Sequence, residues 1–205
     1  MLFTRYRHAV RWPLYRLPRP LRLAVDWLAT LGVAAVIALV LEAEVAKPYR
    51  IPTASMEPTL HCAAPAPGCL GSSSDRVIAA KVIYDFRSPK RDDIVVFKAP
   101  PRARAMCAEG GTFVKRIIGL PGEVVSERNG AVFVDGRRLV EPYVDPSRRD
   151  HLTKTWPRVP AHSYFVMGDN RAASCDSREW GTVPRKDLIG PVVATYWPFG
   201  RFGFR

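Results

Sequence analysis

Between Asp26 and Glu42 the chain reads WLATLGVAAVIALVL, residues 27–41, fifteen positions without a charge. With residues 23–25 added, the run approaches the roughly 20 apolar residues that take a helix across a bilayer. A membrane anchor, a cleaved signal segment and a buried core helix are all built from such runs. No small-x-small cleavage site with a plain mature start follows, although LEAEVA imitates one, so a retained anchor over residues 23–45 is expected. Six arginines, Arg5, Arg7, Arg11, Arg16, Arg19 and Arg22, precede the first acidic residue, against Lys47 and Arg50 just beyond the run. Basic residues gather on the cytoplasmic flank of an anchor. That rule places a tail of residues 1–22 in the cytoplasm and residues 46–205 on the outer face of the cytoplasmic membrane.

The same tail accounts for half of a formal charge of +12 that would otherwise suggest nucleic acid, so no nucleic-acid partner is expected. The remaining basic clusters, Arg102 with Arg104, Arg137 with Arg138 and Arg148 with Arg149, read as solvated loops and turns, or more weakly as contacts to anionic lipid. A composition 47% hydrophobic and 24% charged is globular, and 205 residues suffice for one domain plus an appendage. Nineteen prolines and 14 glycines argue against a mostly helical body. Short strands separated by turns fit better: RVIAAKVIYDF over 76–86, DDIVVFKAP, GTFVKRIIGL, GAVFVDGRRL with a turn at Asp135-Gly136, PAHSYFVMGDN and GPVVATYWPF. Pro48 and Pro52 make the chain leave the anchor extended, and residues 61–75 read as a surface loop. Helix beyond the anchor is limited to a turn or two at residues 55–60 and 184–188.

Cys62, Cys69, Cys107 and Cys175 are even in number and all lie past the anchor, in a compartment where disulfides persist. Four cysteines allow three pairings. HCAAPAPGCL closes a short Pro-stiffened loop if Cys62 joins Cys69, which leaves Cys107 for Cys175. Zinc is the alternative, but the spacing is not C-x-x-C and His61 is a single neighbour, so no metal or other cofactor is expected.

Three stretches besides YRIPTASMEPTL are more polar or more patterned than structure alone requires: RDDIVVF, TFVKRIIGLPGE and GDNRAASCDSREWG. Lys115 falls inside a β-branched and aromatic run, where alternation alone does not say whether it faces water or core. On an exposed face it snorkels. If buried, its ammonium is disfavoured, and the neutral amine can take a proton from a serine hydroxyl. His8, His61, His151 and His162 carry no acid-His-Ser pattern around them, so a conventional triad is poorly supported.

In order, SMEPTL, RDDIVVF, FVKRIIGLPGE and GDNRAASCDSREWG behind an N-terminal anchor resemble the type I bacterial signal peptidases, membrane-bound serine proteases that remove signal peptides from exported proteins. The resemblance spans essentially the whole chain. It implies a mainly β fold, a coiled antiparallel sheet preceded by one transmembrane helix, with Ser55 as nucleophile and Lys115 as general base. It also implies that Thr53 and the Ser55 N–H form the oxyanion hole, that Ser174 orients the Lys115 amine, and that Asp176 and Arg178 pair in support. Tyr49, Ile51, Leu60, Phe113 and Val114 then help line shallow pockets for small side chains, and the partners are signal peptides and membrane lipid. Oligomeric state stays open. In two places the chain departs from the family pattern. Asp92 stands where glycine is common, and the segment from about 124 to 160 is short enough to be a small β-hairpin insert. The rivals are a self-cleaving repressor of related fold, which needs a DNA-binding domain, and an anchored protein that binds peptides without cutting them.

Overall fold

Helix α1, Arg19–Val40, carries Leu23, Trp27, Leu28, Leu31 and Leu39 exposed along its length. Its 22 residues rise about 33 Å, matching the roughly 30 Å hydrocarbon thickness of a bilayer. Within Arg19–Leu39 the mean hydropathy reaches 1.7 over 18 residues, which makes α1 a candidate membrane span. Its polar hydroxyl is satisfied within the helix, Thr30 Oγ1 donating to Asp26 O at 2.8 Å. The helix starts four residues before the anticipated anchor and takes in Arg19 and Arg22. The structure, a computed structural model, is described over residues 18–40, 45–107 and 111–205, so the rest of the arginine tail, His8 and residues 41–44 lie outside the described residues. The chain divides into two units, Met1–Glu44 and Val45–Arg205.

The second unit is built on antiparallel sheet. Its strands are β1 Ala46–Arg50, β2 Arg76–Ala80, β3 Ile94–Lys98, β4 Thr112–Gly119, β5 Val125–Arg128, β6 Ala131–Val134, β7 Arg137–Arg138, β8 Lys154–Thr155, β9 Ser163–Met167, β10 Val183–Pro184, β11 Leu188–Trp197 and β12 Gly203–Phe204. The larger sheet runs β1-β2-β11-β3-β4-β9-β10 with β12 on β11, and β7-β6-β5-β8 form a smaller one. Pro48 is tolerated because β1 is an edge. β3 is buried on both faces: Val95 and Phe97 pack with Phe113, Ile117 and Trp180, whereas Ile94 and Val96 pack with Ile51, Met56 and Leu60. A third core, around Ile118, Val125, Trp156 and Phe165, joins the small sheet to the large one.

β4 is paired unequally. Over Thr112–Arg116 it lies on β3, from Thr112 against Lys98 to Arg116 against Ile94. On its other side β9 begins only at Arg116, opposite Met167. Residues 112–115 therefore present an open backbone edge among the described strands, as does the outer side of β1.

Several expectations need correction. RVIAAKVIYDF is not one strand: β2 stops at Ala80, and Ile83–Phe86 forms the short helix α2, which turns the Tyr84 ring into the core and its hydroxyl toward Asp93 at 3.1 Å. Helix α3, Pro101–Cys107, and helix α4, Ser177–Trp180, exceed the helix anticipated, and Arg102 and Arg104 lie on α3 rather than in a loop. Pro101 suits a first helical position, and Asp176 caps α4 by accepting the Arg178 N–H. The insert is a four-stranded sheet rather than one hairpin. Asp135-Gly136 and Asn129-Gly130 both hold positive φ, 47° and 78°, then 46° and 75°, as tight two-residue hairpin turns require. Asp92, where glycine was the common residue, has φ 71°. The turn persists because its N–H reaches Ile117 O and its own carbonyl accepts from Arg116.

Candidate active site

Pro52 ends the extended lead, and after Thr53, at φ −126° and ψ 157°, the chain tightens into the 3-10 turn Ala54–Met56. Ser55 is half-buried on that turn, with Thr53 Oγ1 3.5 Å from its Oγ. The turn is fastened from behind by Asn170, whose N–H donates to Ser55 O at 3.1 Å and whose Nδ2 donates to Ala54 O at 3.0 Å. Asp169 ties the same region to β4: it accepts Thr59 Oγ1 at 2.5 Å and the Arg116 guanidinium at 2.8 and 2.6 Å. Arg116 also lies 3.9 Å from the centre of the Tyr143 ring.

Side chains alternate across β4, so Lys115 shares the face of Phe113 and Ile117, while Val114 and Arg116 take the other. Lys115 is only 5% exposed. It lines one cleft of about 360 Å³ together with Tyr49, Ile51, Thr53, Ser55, Phe113 and Val114. The open edges of β1 and β4 belong to two walls of this cleft. Leu60 does not line it: it is fully buried beneath, against Ile51 and Met56.

Behind Lys115 stands a charged core. Arg178 donates Nε and Nη2 to Asp176, each at 2.9 Å, contacts Asp150, and donates to Arg171 O at 2.9 Å and Ser174 O at 3.4 Å. Burial pushes the Asp176 carboxyl upward, but the Arg178 charge and hydrogen bonds outweigh it, helped by the Lys115 charge and the Gly168 N–H, and hold it below the usual range. Glu127, from β5, sits against this cluster, and burial followed by the Asp150 charge pushes its carboxyl up to about 8. Ser174 is buried, but contrary to expectation its Oγ makes no hydrogen bond among the described residues, to the Lys115 amine or otherwise. Gly168 separates Ser174 from the nucleophile: a Cβ there would stand 2.2 Å from Ser174 Oγ and 2.4 Å from Ser55 O. The two disulfides pair Cys62 with Cys69 and Cys107 with Cys175, Cα atoms 5.0 and 5.9 Å apart, and the second joins α3 to the segment that carries Ser174. No group of three metal-ligating side chains is gathered among the described residues.

The structure thus brings Thr53, Ser55 and Lys115 to one cleft, with Asp176 and Arg178 behind it. Asp169 and Asn170 lie in the polar stretch GDNRAASCDSREWG marked by the sequence, which gave them no role, while Arg116 and Glu57 were missed. Residues 24–197 match the family model described as signal peptidase, peptidase S26. The chain belongs to that family. A signal peptidase I of Leptolyngbya laminosa is 38% identical over 182 residues, 87% of this chain and 82% of its own length. A signal peptidase I of Mycobacterium tuberculosis is 33% identical, covering 91% of this chain and 77% of its own. A solved signal peptidase I from Enterococcus faecalis is 33% identical, covers 52% of this chain and 97% of its own, and has a TM-score of 0.43. Membership of the S26 family makes the chain a serine peptidase.

Proposed function

We propose that this peptidase removes signal peptides from exported preproteins, with Ser55 and Lys115 as a catalytic dyad. The substrate enters extended and adds a strand between residues 49–53 and 112–115, whose unpaired backbone edges face it. Tyr49, Ile51, Phe113 and Val114 admit small side chains at the first and third positions before the cut. The neutral Lys115 amine takes the Ser55 proton as Oγ attacks the scissile carbonyl, and the resulting ammonium gives that proton to the leaving amine. The Ser55 N–H and Thr53 Oγ1 hold the developing oxyanion. Water, activated by the same lysine, then releases the acyl group. Asp176 and Arg178 keep the Ser174 segment packed against the dyad, and α1 anchors the enzyme with its N-terminus in the cytoplasm, an orientation supported by the arginine tail and the two disulfides.

What supports the dyad most is that a half-buried serine and a nearly buried lysine share one cleft between two open strand edges. The test is purified full-length protein in detergent, given a preprotein with an Ala-x-Ala site, with N-terminal sequencing of the product. Wild type should cut after the second Ala, and Ser55→Ala should not. Equal cleavage of Ala-x-Ala and Phe-x-Phe sites would refute the pocket assignment.

A further inference from the structure

Just past Ser55 the chain makes a loop that belongs to neither strand edge. Residues 62–69 are closed by the Cys62–Cys69 disulfide. The loop is laced to its own base, Ala64 N–H donating to Gly71 O at 2.8 Å and Gly71 N–H to Cys62 O at 3.1 Å. Its anchor is Glu57, two residues after Ser55 and fully buried. One Glu57 carboxylate oxygen accepts the backbone N–H groups of Cys62 and Leu70, both at 3.0 Å, and the other meets His61 Nδ1 at 2.5 Å. A carboxylate in the nucleophile's own turn therefore grips both ends of the loop. Next to the closing Cys69, Gly68 holds φ +78° and lies so near Ala54 that a Cβ on it would stand 3.1 Å from the Ala54 Cβ. Its exposed neighbour Pro67 reaches the wall of the cleft that holds Ser55.

Along β1 and β4 a substrate places the residues that precede the scissile bond, and that half ends at Ser55. Pro67 comes from neither strand and lines the cleft beside Ser55, while the adjoining Gly68 lies against Ala54, the residue before the nucleophile, so Pro67 flanks the path of the chain beyond the cut. We propose that residues 62–69 are a specificity lip. Pro67 bounds the site of the residue that follows the scissile bond, and Glu57 holds the lip in register with Ser55. The lip deepens the proposed peptidase function and rests on it. A wall braced by a disulfide, a proline and a buried carboxylate cannot yield to a bulky side chain without breaking those bonds, so it selects by size.

The test uses the full-length protein in detergent and two pairs of peptides built on one Ala-x-Ala sequence. The first pair differs only after the cut, Ala or Trp, and the second only before it, Ala or Phe. Wild type should prefer Ala over Trp after the cut. Pro67→Gly should narrow that kcat/KM ratio by about 10-fold, the scale of a pocket contact, and Pro67→Trp should widen it. The ratio of Ala to Phe before the cut should hold in both variants, and mapping of non-reduced peptides verifies that Cys62 still joins Cys69. The lip is refuted if wild type shows no size preference after the cut, if neither variant moves it, or if the change falls before the cut. Failure of wild type to cut any of the peptides would instead remove the peptidase function on which the lip depends.

Discussion

Gly168→Ala adds one methyl group at the closest approach in the candidate site. Its Cβ would stand 2.2 Å from Ser174 Oγ, 2.4 Å from Ser55 O and 2.6 Å from Ser174 Cβ. The Ser174 hydroxyl can rotate away, but the Ser55 carbonyl is backbone and already accepts the Asn170 N–H at 3.1 Å. Nor can residue 168 retreat freely, since its N–H donates to Asp176 at 3.0 Å and its carbonyl accepts Arg171 Nε at 2.9 Å. Ordinary van der Waals contact begins at 3.4 Å, so one of the two backbones must move by about 1 Å. A displacement of that size at a reacting group costs about 100-fold in rate, while overpacking itself costs about 1 to 3 kcal/mol of stability. The assay is kcat for an Ala-x-Ala peptide at saturating concentration, with a thermal melt of each protein. Gly200→Ala is the control, because nothing lies within 4 Å of the added carbon. If Gly168→Ala turns over at the rate of that control, the contact does not position Ser55 and the reasoning fails.

Thr53→Val should lower kcat by roughly 10-fold to 1,000-fold, the scale of one oxyanion donor, while Thr53→Ser stays near wild type; equal rates in the two variants would make Thr53 structural. Lys115→Arg should be as inactive as Lys115→Ala, because a guanidinium keeps its charge and cannot accept the serine proton, and a near wild-type rate for the arginine variant would remove Lys115 from the base role. Glu127 has its carboxyl raised from 4.5 to about 8, so its contribution to stability is fully present below about pH 4.5 and is lost as pH rises through 8. Melting curves of wild type and Glu127→Gln at pH 5 and pH 8 should show the glutamine variant losing less stability across that window, and parallel losses would count against a protonated Glu127.

Local signals carried well where a residue's own backbone decides the outcome. Asp135-Gly136 turns a hairpin, Pro48 and Pro52 keep the approach to Ser55 extended, and Asp92 occupies the left-handed conformation that its glycine-like position demanded. Asn129-Gly130 was an equally good turn signal, and it explains how β5 joins β6, while β8 reaches β5 only through the longer segment 139–153. What stayed hidden was set by distant partners. Apolar periodicity in RVIAAKVIYDF is the same whether the chain runs straight or bends, and the bend follows from Tyr84 meeting Asp93 and packing under β3 and β4. The face of Lys115 became visible only once Phe113 and Ile117 were seen packed in one core. The resemblance made Leu60 a pocket residue, but it packs fully buried against Ile51 and Met56. Asn170 and Asp169 act through bonds to residues more than 50 positions away, and no local pattern announces such bonds.

The half-paired β4 has a wider meaning. Its last four residues complete a sheet with β9, and its first four leave that sheet one strand short. On the proposed reading, each client supplies the missing strand for the duration of one cut, offering amide and carbonyl groups that every polypeptide carries in the same places. Most of the recognition is then indifferent to which amino acids the client contains. An enzyme organised in this way can serve a large and unrelated clientele with two small pockets and one lip as its whole vocabulary.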